Sequence, residues 1–129
     1  AADGTAAPFR PGSIDAVLLD APCSGLGALR RRADARWRIT AADIAELAEL
    51  QSALLSSSAQ LVAVGGRLVY SVCTITAAES VDHRTPPGFE VDPDPPQIGT
   101  WRRFEQGWRV LPQDADTDGM VLIRYRRVS

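Results

Sequence analysis

At 129 residues the chain is long enough to bury one hydrophobic core. A composition of 45% hydrophobic and 23% charged residues excludes a disordered chain. The net charge of −2 argues against a freestanding nucleic-acid binder whose whole surface is basic. All fourteen basic residues are arginine, as expected of a genome rich in G and C. Two cysteines, Cys23 and Cys73, are too few for a secreted disulfide scaffold, so a reducing cytoplasm is the expected compartment. No apolar run approaches membrane-span length and the start carries no signal-peptide pattern. Without an initiator Met, the chain is expected to be a piece of a longer protein.

In chain order, Ile14 to Leu19 is an apolar run ending at Asp20 and predicts a buried parallel strand. Ala21 to Gly27 follows as a loop punctuated by Pro22, Gly25 and Gly27. A basic stretch holds Arg30, Arg31, Arg32, Arg36 and Arg38 around Trp37, which is expected in the core. Thr40 begins a helix with Asp43 at the capping-box position, and Ile44, Leu47, Leu54, Leu55, Leu61 and Val62 give it one apolar face. Gly65-Gly66 is expected to end it, either as one helix or as two abutting helices around Ser56-Ser57-Ser58. Arg67 to Cys73 reads as the next strand, which completes a βαβ unit with parallel strands. A short helix is predicted over 77–81, and the prolines between 85 and 100 predict an irregular connection. Trp101 to Leu111 should hold a short strand and Met120 to Arg127 a final one, paired antiparallel through the turn at Asp118-Gly119.

Open parallel sheets gather functional groups at the C-terminal ends of their strands. Here Asp20-Ala21-Pro22-Cys23 ends one strand and Cys73 ends the next. If the strands are neighbours, the two sulfurs converge on one crevice. The plainer reading of each cysteine is a buried, inert thiol.

Three segments together resemble the Sun/Fmu-type RNA cytosine-C5 methyltransferases, which include bacterial 16S ribosomal RNA enzymes. Asp20-Ala21-Pro22-Cys23-Ser24-Gly25-Leu26-Gly27 is similar to that family's first cysteine motif. Gly65 to Thr74 is similar to its second, and Asp118-Gly119-Met120 with the following strand to its closing segment. The resemblance implies an α/β fold: the C-terminal part of a Rossmann-like methyltransferase sheet over residues 1–129, with the last strand antiparallel. It implies S-adenosylmethionine as methyl donor and RNA, with ribosomal RNA foremost, as substrate. It assigns the nucleophile to Cys73 and release of the product to Cys23. Asp20 and Asp3 become donor contacts, although a turn-forming Asp-Gly is an equally simple account of Asp3. The arginine cluster becomes a phosphate-holding segment, against the alternative of a solvated face. No metal is implied.

The departures are as informative. The glycine-rich donor loop, the ribose-binding acid and an N-terminal RNA-binding region are absent from these residues. Val72 stands where the family usually has Thr, and its acidic-and-Asn pattern after the second cysteine is reduced to Glu79-Ser80. The expectation is therefore an RNA methyltransferase piece that is inactive alone, with a truncated sheet edge prone to self-association. The alternatives are a non-catalytic RNA-binding or interaction piece that keeps the fold, and a small redox protein. The last lacks a compact C-x-x-C arrangement.

Overall fold

The computed structural model describes residues 2–129. Strand β1 (Ile14–Asp20) leads through the loop after it and one turn of helix α1 (Ala35–Arg38) to helix α2 (Ala41–Leu61). Strands β2 (Val62–Val72), β3 (Phe89–Val91), β4 (Arg102–Phe104) and β5 (Gly107–Val110) follow, then the short helix α3 (Pro112–Ala115) and strand β6 (Met120–Arg127). The sheet runs β1-β2-β6-β5-β4, with β3 also paired to β6. Strands β1 and β2 are parallel and every other pair is antiparallel. This is the expected partial Rossmann-like α/β arrangement, with the last strand antiparallel.

Helix α2 is continuous. Its start is fixed as the sequence implies: Thr40 Oγ1 accepts from the Asp43 N–H and Asp43 Oδ2 accepts from the Thr40 N–H. The core forms where α2 meets the sheet. Leu55 and Ala59 pack there with Leu68, Tyr70 and Val72 of β2 and Val121, Ile123 and Tyr125 of β6. Tyr70 pairs with Ile123 and Leu68 with Tyr125 in register, so large side chains stack on one face.

Several expectations are corrected. Gly65-Gly66 does not end the helix, which stops at Leu61; it sits inside β2. There Ile14 pairs with Val62 but Ala16 with Arg67, so β2 bulges against β1. Gly65 takes φ +84 and a side chain on Gly66 would meet the Asp15 carbonyl, so the two glycines serve the bulge. Residues 77–81 form turns rather than a helix, with the Ala77 carbonyl accepting from both Ser80 and Asp82. The proline-rich connection contains β3, and 101–111 holds a two-strand hairpin whose loop residue Glu105 has φ +50. Helix α3 separates β5 from β6, so Asp118-Gly119 is not a direct hairpin turn.

Among the described residues only one face of the β1–β2 pair is covered. On the other, Ala16, Leu18 and Asp20 of β1 are exposed, Leu18 at 70%. Helix α2 thus covers one face of this pair. No helix among the described residues is long and apolar enough to cross a membrane.

Candidate active site

The parallel register carries Asp20 opposite Ser71, and the Ala21 N–H donates to the Ser71 carbonyl at 3.0 Å. Both chains leave the sheet side by side at their C-terminal ends. Cys23 lies three residues beyond the end of β1 and Cys73 one residue beyond the end of β2. Their sulfurs are 3.3 Å apart, both half-buried and both free thiols. The expected convergence is observed.

The two loops are tied to each other beyond the ladder. Gly27 N–H donates to the Cys73 carbonyl at 3.0 Å, and Gly119 N–H donates to the Gly27 carbonyl at 2.8 Å. Any side chain at Gly27 would stand 2.0 Å from the Gly119 carbonyl oxygen, so only glycine permits this approach. Asp118-Gly119 therefore closes the first cysteine loop rather than a hairpin.

Behind the sulfurs lies a buried carboxylate. Glu79 accepts from the Ser24 N–H and hydroxyl at 2.7 Å each, from Thr76 at 2.8 Å and from Thr74 at 2.9 Å. Gln51 of α2 donates to Glu79 at 3.3 Å and to the Pro22 carbonyl at 2.8 Å. Burial pushes the Glu79 carboxyl up, but the bonds from Ser24, Thr76 and Thr74 outweigh it and hold the group below its ordinary range. Glu79 is thus a buried anion stabilised by dipoles. His83 is buried edge-on to Tyr70 and bonded to Ser52 and Gln51. Its burial lowers its pKa.

The Cys23 thiol is pushed up to about 12, chiefly by burial and then by its contact with Cys73. It holds its proton at neutral pH.

The other expected site residues lie differently. Asp20 is exposed at the end of β1, on the strand that leads into the Cys23 loop. Asp3 caps a 3-10 turn (Gly4–Ala6), where it accepts from the Thr5 N–H and hydroxyl at 2.8 Å. Those bonds lower its pKa. That turn packs on α2 near Leu54, so the turn-forming account of Asp3 is realised whatever else it does. A cavity of about 590 Å³ lies elsewhere, between α2 and the 82–89 segment, and none of Asp3, Asp20, Cys23 and Cys73 lines it.

The basic segment runs alongside the Cys23 loop. Arg30 pairs with Asp116 at 2.7 Å, Arg31 with Asp118 and Arg38 with Asp34. Among the described residues Arg32 and Arg36 make no ion pair, and an Arg32 nitrogen lies near Gly25. Trp37 is not in the core: it is 82% exposed, with the Arg36 guanidinium 5.3 Å from its ring centre. One turn of helix places it on the outer side of α1, where nothing in the described chain packs over it.

Comparison with known proteins agrees with this geometry. Residues 1–125 match the family described as 16S rRNA methyltransferase RsmB/F. The probable ribosomal RNA small subunit methyltransferase B of Synechocystis is 58% identical over 67 residues, covering 52% of this chain and 15% of that protein. The mouse tRNA (cytosine(72)-C(5))-methyltransferase NSUN6 is 43% identical over 132 residues, covering 88% of this chain and 27% of that protein. The crystal structure of NSun6 from Pyrococcus horikoshii with SFG superposes with a TM-score of 0.72 at 28% identity. That match covers 87% of this chain and 29% of the other. The chain therefore spans well under a third of the length of each.

Proposed function

The chain belongs to the RsmB/F family of 16S rRNA methyltransferases, and from that premise we propose that it forms the two-cysteine part of an enzyme methylating carbon 5 of a cytosine in RNA. Ribosomal RNA is the proposed substrate and S-adenosylmethionine the proposed donor. The observation that carries the reading is the 3.3 Å approach of Cys23 and Cys73 at the C-terminal ends of adjacent parallel strands.

Carbon 5 of cytosine is a weak nucleophile. Addition of the Cys73 thiolate to carbon 6 forms a carbon–sulfur bond and pushes the ring electrons toward carbon 5. The donor, when bound, supplies the methyl group that carbon 5 takes up. Loss of the carbon-5 proton to a base then restores the ring, and the pair of the carbon–sulfur bond returns to Cys73. Cys23 supports that last step. Its thiol keeps its proton at neutral pH, so it does not compete as a nucleophile. Its S–H lies within reach of the departing Cys73 sulfur.

The donor fits these residues only along one flank. Asp20 offers an exposed carboxylate beside the Cys23 loop. Asp3 has one carboxylate oxygen engaged by Thr5, and no cavity among those described encloses either residue. Residues 1–129 are accordingly proposed to act only together with further chain. Contact with RNA is supported by Arg32 and by Arg36 stacked over exposed Trp37 beside the first cysteine loop.

Substitution in the full chain carrying this segment tests the division of labour. Cys73→Ala should abolish both methylation and the protein–RNA adduct. Cys23→Ala should still attack and transfer methyl, then stall, with turnover falling about 100-fold or more. The stalled complex would show as a shifted band on a denaturing gel. Normal turnover by Cys23→Ala, or an adduct that survives in Cys73→Ala, would contradict the assignment.

A further inference from the structure

We infer that Glu79 is the positioning residue of the two-cysteine site, holding the Cys23 and Cys73 loops at the separation the chemistry needs. Its catalytic meaning rests on the function proposed above; its geometric content does not.

The sheet alone does not fix the sulfurs. The β1–β2 ladder reaches only Asp20–Ser71, with one further bond from the Ala21 N–H. Both cysteines lie past it. The residue following each cysteine turns inward to the same carboxylate: Ser24 after Cys23 donates its N–H and hydroxyl, and Thr74 after Cys73 donates its hydroxyl. The Ser24 and Thr74 hydroxyls also lie 3.1 Å from each other. Glu79 itself is held in place, since its own carbonyl accepts from the Tyr70 hydroxyl at 2.7 Å within the core. Thr76 and Gln51 complete its shell, and among the described residues no Arg pairs with it. A carboxylate's two oxygens offer about four lone-pair sites, enough for the four short bonds from Ser24, Thr74 and Thr76, with Gln51 at 3.3 Å a looser fifth contact; an amide offers one oxygen and turns two donors toward them. Ser24, Thr74 and Glu79 are all fully or almost fully buried, so water does not substitute for a lost acceptor.

Sulfur proximity is measurable without methylation. Phenylarsine oxide binds two thiols on one arsenic, forming two sulfur–arsenic bonds and releasing water, and so reports pairs of thiols held close together. In the full chain, the wild type should bridge Cys23 to Cys73 quickly, read by mass spectrometry of the joined peptides. Glu79→Gln, folded by circular dichroism, should bridge about 10-fold more slowly. Its kcat should fall by about 100-fold with the KM for RNA unchanged. Phe89→Ala, a core truncation in β3 at the end of β6 opposite the site, should lose thermal stability yet bridge at the wild-type rate. Thr74→Val withdraws the Cys73-side hydroxyl with its bonds to Glu79, Ser24 and Thr76 but keeps the Glu79–Ser24 bonds, and should bridge about 3-fold more slowly, a test that stands if Glu79→Gln does not fold. Wild-type bridging rates in Glu79→Gln, or in Thr74→Val where that variant stands in for it, would overturn the inference. Slowed bridging in an enzyme that methylates no RNA would uphold Glu79 while refuting the proposed function.

Discussion

Burial acts on three side chains of this site with different results. It raises the Cys23 thiol, lowers His83, and fails to raise Glu79 because three hydroxyls and a backbone N–H meet the carboxylate. The sign of the resulting pH dependence follows. Glu79 is depressed in the folded chain, so its contribution to stability is complete above the ordinary carboxylate range and is lost as pH falls through its lowered value. Denaturant unfolding across acidic pH should therefore show a shallower slope for Glu79→Gln than for the wild type. At neutral pH the variant should be less stable by roughly 2 kcal/mol, the order of a hydrogen bond to a charged group. An unchanged acid slope would mean that Glu79 is already protonated in the fold. None of this network was legible beforehand. In sequence Glu79 is only the remnant of an acidic pattern, and its convergence with Gln51 and Ser24 joins positions 28 and 55 residues apart. Trp37 was misplaced for a related reason: an aromatic residue next to an apolar-faced helix reads as core, and its exposure depends on what packs over α1.

At the level of elements, the strand ends were readable because a short apolar run bounded by Pro and Gly has few other solutions. The parallel pairing followed from the long helix between β1 and β2. Gly65-Gly66 was ambiguous in principle, since a residue at positive φ suits both a helix terminus and a bulge. Strand β3 escaped notice because three residues among prolines carry no periodicity. The same elements make a prediction. Among the described residues β1 is an edge strand bonded only to β2, and its uncovered face carries exposed Leu18. Residues 1–129 expressed alone should self-associate through that edge. Sedimentation should show dimers or larger species at high concentration, and Leu18→Lys should shift them toward monomer. A clean monomer of the unaltered segment would remove the edge from consideration.

For the whole molecule, the family membership, the partial Rossmann-like sheet and the paired sulfurs fit the proposals that two loops past the sheet carry the chemistry and that buried Glu79 sets their spacing. The chemistry in both proposals rests on Cys73 bonding to carbon 6 of the target cytosine. RNA carrying 5-fluorocytosine provides the test, because the fluorine that replaces the carbon-5 hydrogen cannot leave as a cation, so elimination stops and the adduct is trapped after methyl transfer. The full chain should be incubated with that RNA and donor, digested, and the RNA-bearing peptide identified by mass spectrometry. The account predicts RNA on the peptide containing Cys73 and none on that containing Cys23. RNA on Cys23, or no adduct in an enzyme that methylates the unmodified RNA, would contradict it.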